Sequence, residues 1–123
     1  MPSPKRYPTV LLRHDLPDGS GHFDWMLAVD DHGPLVTFRL ERDISEDLGA
    51  FDGQRIADHR RRYLAYEGPI TGNRGVVSRV AAGDAIVSYQ SEEAIELKLN
   101  LGTRHQHLSG IRQASCWYSF GIL

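Results

Sequence analysis

Val76-Val77-Ser78-Arg79-Val80-Ala81-Ala82-Gly83-Asp84-Ala85-Ile86-Val87-Ser88-Tyr89 is the stretch from which the fold is read. Apolar and polar residues alternate on both sides of its centre, the period of two that turns one strand face inward and the other outward. Ala82-Gly83-Asp84 carries turn residues, so the spacing predicts strands over 75–81 and 84–90 joined in a hairpin. Working outward, Asp30-Asp31-His32-Gly33 separates Trp25-Met26-Leu27-Ala28-Val29 from Leu35-Val36-Thr37-Phe38 in the same way, which makes His32 an exposed turn residue. Further strands are expected over 8–14, 22–29, 34–40, 64–70, 94–100 and 115–122. Only 45–62 has helical composition, and Gly49 and Gly53 interrupt it, leaving a short helix over 54–62. About eight short strands with one or two short helices imply an all-β fold, a small antiparallel β-barrel whose closure removes exposed edges. No repeat, low-complexity tract or linker divides the chain, so 1–123 is read as one domain.

The bulk numbers narrow the class. Hydrophobic content of 41% and charged content of 24% are those of a soluble globular protein. No apolar run approaches the ~20 residues of a membrane helix. Met1-Pro2-Ser3-Pro4-Lys5-Arg6 lacks the apolar core of a signal peptide. A single cysteine, Cys116, excludes an internal disulfide and fits a reducing cytoplasm. Beside Trp117 in the last strand it reads as a buried structural thiol, and Trp25 and Trp117 read as core. A net charge of −2 excludes a sequence-blind electrostatic DNA coat. Locally, however, Arg60-Arg61-Arg62 follows Arg55 and His59, just after an acidic cluster of Glu41, Asp43, Glu46, Asp47 and Asp52.

Chemistry concentrates at His22-Phe23-Asp24. In a strand His22 and Asp24 share a face, while Phe23 and Trp25 point the other way. Pro17-Asp18-Gly19-Ser20-Gly21 is a turn that returns the chain alongside His14 and the strand before it. Two histidines and an aspartate so placed form a three-ligand set for Mn, Fe or Zn with open coordination positions. The same set is also the facial triad of a non-haem iron oxygenase. His105 and His107 are also two apart, but Gly102 and Gly110 bracket them, and they read as loop or edge residues.

A second motif is Asp58-His59-Arg60-Arg61-Arg62-Tyr63-Leu64-Ala65-Tyr66-Glu67-Gly68-Pro69-Ile70, followed by Gly72-Asn73-Arg74-Gly75. It resembles the 3′-phosphoesterase domain of bacterial DNA ligase D, with its D-H-x-x-x-Y-x-x-F-E-G-x-I pattern and Gly-rich turn. Tyr66 stands in place of the Phe. Upstream, His14 and His22-x-Asp24 resemble that family's H-x5-H-x-D pattern. Leu99-Asn100-Leu101-Gly102-Thr103-Arg104 and Leu108-Ser109-Gly110 resemble its closing strands, so the resemblance runs from about residue 9 onward.

The resemblance implies a small β-barrel that trims 3′ ends of nucleic acid, removing a terminal ribonucleoside and then the 3′-phosphate. It implies His14, His22 and Asp24 as ligands of Mn2+, with Zn2+ or Co2+ as substitutes. It also implies His59 and Tyr63 as phosphate-binding residues, with Arg42 as a further phosphate contact. Four residues apart, His59 and Tyr63 share a face if their segment is helical, and Arg60 to Arg62 then face the nucleic-acid backbone. The implied partners are the 3′ ends of primer-template DNA and a ligase or polymerase of end joining, with no membrane. There are departures: Met26 replaces the family's arginine, two extra residues separate His14 from His22, and the family's N-terminal arm is nearly absent. These departures motivate an alternative, a catalytically impaired relative that binds metal and nucleic-acid ends or a repair partner.

Overall fold

The computed structural model describes residues 5–123; residues 1–4, on which the leader reading partly rests, lie outside the described residues. The strands are β1 (Tyr7–Asp15), β2 (Gly21–Leu27), β3 (Leu35–Leu40), β4 (Phe51–His59), β5 (Gly68–Pro69), β6 (Val76–Gln90), β7 (Ala94–Leu101), β8 (Arg104–Ala114) and β9 (Trp117–Ile122). They pair antiparallel in the order β1-β2-β3-β4-β9-β8-β7-β6, and β6 returns to β1, closing an eight-stranded barrel. β5 is a two-residue addition on β6. The expected all-β barrel is present, with one 3-10 turn, Arg61–Leu64, and no α-helix among the described residues. No helix among the described residues is long and apolar enough to cross a membrane.

Alternation along the strands fills the interior. Leu11, Trp25, Leu27, Phe38, Leu97, Leu99, Leu108 and Phe120 are all buried there. The Phe51 and Phe120 rings stack at 4.9 Å. The one polar group of Trp25 is satisfied, its Nε1–H donating to Thr9 Oγ1 at 3.0 Å, as buried indoles require. Trp25 is therefore core, as expected.

The hairpin at Ala82-Gly83-Asp84 is not formed. β6 runs through it as one 15-residue strand, pairing with β1 over Val76–Ala85 and with β7 over Gly83–Gln90. Gly83 is needed for close approach rather than for a turn. A Cβ there would lie 1.9 Å from the Asn100 carbonyl oxygen, at the point where β6 passes from one neighbour to the other. The Asp84 carboxylate accepts from Asn100 Nδ2 and Arg6 instead of capping a turn.

Other expectations also change. The helix over 54–62 is the strand β4 followed by the 3-10 turn, because β4 is needed to bridge β3 and β9. The strand over 64–70 shrinks to β5. His105 and His107 lie at the start of β8, laddered to β7 ahead of the part of β8 that pairs with β9 from Leu108, so they are edge residues as expected, facing outward against Asn100 and Glu96. Trp117 is not core; it is 45% exposed, because Tyr118 and Phe120 hold the inward positions of β9. Cys116 sits half-buried in the β8–β9 turn, accepting a hydrogen bond from Gln54 rather than lying in the core.

A second, smaller core lies on the outer wall. Val10, Leu12, Met26, Ala28, Leu35 and Val77 project outward and are covered by Tyr63, Leu64, Tyr66 and Ile70 of the segment after β4. That segment is tied to β6 at a bulge. Glu67 Oε1 accepts the Arg79 backbone N–H at 2.5 Å, and Arg79 Nη2 donates to the Leu64 carbonyl at 3.2 Å. The Tyr66 hydroxyl donates to the Pro69 carbonyl.

Candidate metal centre

The β1–β2 turn sets His14 directly opposite His22 in the ladder, and Asp24 is two residues further along β2 on the same outer face. The donor atoms of His14, His22 and Asp24 lie within 4.8 Å of one another. His14 Nδ1 stands 3.5 Å from Asp24 Oδ2, and His22 Nε2 stands 3.2 Å from Asp24 Oδ1. The cluster sits at the rim of the outer core, with Asp24 almost fully buried.

Hydrogen bonding fixes the orientation of His14. Its Nε2 lies 2.7 Å from the Arg74 carbonyl oxygen. A carbonyl only accepts, so Nε2 carries the proton and, in the neutral imidazole, Nδ1 turns its lone pair toward Asp24 Oδ2. A ring N–H held by a carbonyl behind the ligand is the usual way a protein orients a metal-binding histidine. On the other side, His22 Nε2 and Asp24 Oδ1 are buried facing each other at 3.2 Å, with no other hydrogen-bond partner. Buried polar atoms are normally satisfied. With Nδ1 of His14 and Oδ2 of Asp24 beside them, these two atoms make a group of donors able to hold a metal ion. The donor set therefore fits a divalent metal, with His14, His22 and Asp24 as its ligands.

Burial, assisted by Arg39 and His14, holds the His22 imidazole below its ordinary value near 6.5, while Asp24 pulls the other way. The neutral, metal-binding form is thereby favoured. Arg39 reaches this position because it is the ladder partner of Asp24 on β3.

The second motif is folded onto the first. A cavity of about 410 Å³ is lined by His14, Asp24 and Met26 from the barrel wall and by His59, Tyr63 and Arg74 from the covering segment. His59 ends β4 with its Nδ1–H donating to the Ala57 carbonyl at 2.9 Å, which leaves Nε2 without a backbone partner. Tyr63 packs edge-on against His59, with ring centroids 5.7 Å apart. A turn between them, rather than a shared helix face, brings the two rings together. Arg60 and Arg62 also line the cavity. Arg61 turns away, donating to the Asp30 and Gly33 carbonyls.

Arg42 is elsewhere. It follows β3, pairs with Asp47 at 3.0 Å and lines a separate cavity of about 620 Å³ beside Phe51 and Trp117. Sequence reasoning assigned Arg74 only to a turn, although its carbonyl orients a candidate ligand and the residue lines the cavity. A cation inside a glycine-bracketed turn after the His59 motif was the available signal. No protein-family model matches this sequence, and a search of curated proteins returns no match.

Proposed function

We propose that this protein is a metal-dependent phosphoesterase that processes the 3′ ends of DNA, removing a 3′-ribonucleoside, a 3′-phosphate or both. One observation carries the reading: residues far apart in sequence, His14 and Asp24 on one side and His59 and Tyr63 on the other, line a single cavity. Phosphoester cleavage asks for this combination, a metal site beside an imidazole and further cations. The resemblance to the 3′-phosphoesterase domain of DNA ligase D, in which both motifs occur in this order, supports the substrate class.

His14, His22 and Asp24 would hold the ion. Mn2+ is the proposed metal, with Zn2+ or Co2+ as alternatives. When bound, a divalent ion supplies Lewis-acid polarisation of a phosphoryl oxygen and orients a nucleophile. His59, its Nδ1–H engaged with Ala57, presents Nε2 to the phosphate, and as the imidazolium it donates to a non-bridging oxygen or protonates the leaving oxygen. The Tyr63 hydroxyl serves as a second donor from the same wall. Arg60 and Arg62 at the rim supply salt-sensitive attraction for the strand carrying the 3′ end. A ligase or polymerase of end joining is the proposed protein partner, and the cytoplasm the proposed compartment.

Met26 favours a second reading, in which the barrel holds metal and DNA ends without cleaving them. It is buried on the cavity wall, and a thioether neutralises no charge. Labelled primer-templates ending in a 3′-ribonucleotide or a 3′-phosphate, incubated with Mn2+, separate the two. Cleavage that needs the metal and is lost in His22→Ala and His59→Ala is the expected result. Mn2+ binding through His22 with no cleavage of either end would overturn catalysis and leave the second reading.

A further inference from the structure

The cavity contains three arginines, and they are not equivalent. The Arg62 guanidinium lies over the Tyr66 ring at 4.5 Å and the Tyr63 ring at 5.4 Å, so its faces are engaged. Arg60 is exposed, and its side chain makes no hydrogen bond or ion pair among the described residues. Arg74 alone is both fixed and unneutralised. Its Nε donates to the Thr71 carbonyl at 2.7 Å and its Nη2 to the Thr71 hydroxyl at 3.2 Å, which sets the plane of the guanidinium. Nη1 has no partner, and no carboxylate pairs with the group among the described residues.

The turn that carries Arg74 is pressed onto the candidate metal ligands. Ile70 N–H donates to the Gly75 carbonyl at 2.8 Å, closing the turn. Gly75 has φ of +99°, and a Cβ there would lie 2.1 Å from the Asp15 carbonyl oxygen. Only glycine allows that approach. The Arg74 carbonyl in turn receives the His14 N–H. One residue thus does two jobs: its carbonyl orients a ligand, and its guanidinium, held on Thr71 of the same turn, stands at the cavity that Arg74 lines. Met26, on the opposite wall, brings no charge.

We infer that Arg74 is the cation that fixes a phosphate of the nucleic-acid 3′ end against the metal centre, its free N–H groups donating to the non-bridging oxygens. The inference rests on the phosphoesterase reading for its substrate, but its test does not. A guanidinium suits two oxygens of one phosphate better than an ammonium does.

The side chain can be changed while its carbonyl stays in place, so metal binding and phosphate binding are separable. Binding of inorganic phosphate and of a 3′-phosphorylated oligonucleotide to the Mn2+-loaded protein would be titrated for wild type, Arg74→Ala and Arg74→Lys. Mn2+ affinity would be measured on each variant. Arg74→Ala should weaken both phosphate ligands at least ~10-fold with Mn2+ affinity within ~2-fold, Arg74→Lys should lie between, and added guanidinium should restore part of the loss. Equal phosphate binding by wild type and Arg74→Ala, or no phosphate binding by either, would overturn the inference. So would a parallel loss of Mn2+ affinity, because Arg74 would then act only through the turn. Phosphate binding that depends on Arg74 in a protein that cleaves no 3′ end would uphold the anchor and refute the phosphoesterase reading alone.

Discussion

Two buried polar clusters in this barrel have opposite character. At one end, Arg104 is fully buried beneath the loop between β3 and β4. Its Nε donates to the Ile44 carbonyl at 2.6 Å, its Nη1 to Gln106 Oε1 at 2.6 Å, and its Nη2 to the Asp47 and Gly49 carbonyls. The guanidinium also lies over the Phe51 ring at 5.0 Å. On the outer wall, by contrast, His22 Nε2 and Asp24 Oδ1 are buried with no partner but each other, at 3.2 Å. The first cluster satisfies itself and works as a plug that closes a loop. The second gathers two imidazoles and a carboxylate able to hold a cation, and that donor set is what marks it as a candidate site. Burial alone does not separate structural polar residues from functional ones; here the chemistry of the donor set does.

The largest effect is expected where the cluster is self-sufficient. Arg104→Ala leaves the carbonyls of Ile44, Asp47 and Gly49 without their donor and opens a void, at a cost of about 4 kcal/mol. Urea denaturation measures this, and the Mn2+ affinity of the folded fraction should not change. Asp24→Asn should do the reverse. Mn2+ affinity measured calorimetrically should fall by ~100-fold or more, since even groups behind the ligands are worth ~10–100-fold. Metal-free stability should move by less than ~1 kcal/mol, because the amide N–H2 donates to His14 Nδ1, whose lone pair the carboxylate cannot serve, while the amide oxygen still faces His22 Nε2. A metal-free loss of several kcal/mol would erase the contrast and make this cluster a second plug.

Metal itself provides the next test. Mn2+ at 100 times its Kd should stabilise the wild type by about 2.7 kcal/mol and Asp24→Asn by about 0.4 kcal/mol or less, with the gain removed by chelator in a thermal scan. The smallest effect is expected behind the ligands. Gly75→Ala pushes the turn off Asp15 and displaces the Arg74 carbonyl from His14, so Mn2+ affinity should drop about 10-fold. Unchanged affinity would show that His14 does not owe its orientation to that carbonyl.

The sequence disclosed these features unevenly. Strand alternation was readable around Trp25 and Phe38, and the barrel followed from the number of short strands. It misled at Gly83, because a Gly-Asp pair between alternating runs looks the same whether the chain turns or one strand bends between two neighbours. It misled at Trp117 as well, since alternation gives a strand two faces without saying which one is inside. At the site, His14, His22 and Asp24 were legible from local spacing. The roles of Glu67 at the β6 bulge and of the Arg74 carbonyl were not, because each depends on a partner more than ten residues away.

By itself, then, the sequence determined that His22 and Asp24 share a face and that a turn brings His14 beside them, since covalent strand geometry and turn chemistry are local. Only the tertiary structure decided that this face is the outer wall and that residues 57–75 fold across it. Only it placed Arg104 inside and Trp117 outside. Those outcomes follow from closing the barrel, which assigns inward and outward faces to all eight strands together and leaves an apolar patch on the wall that the covering segment must bury.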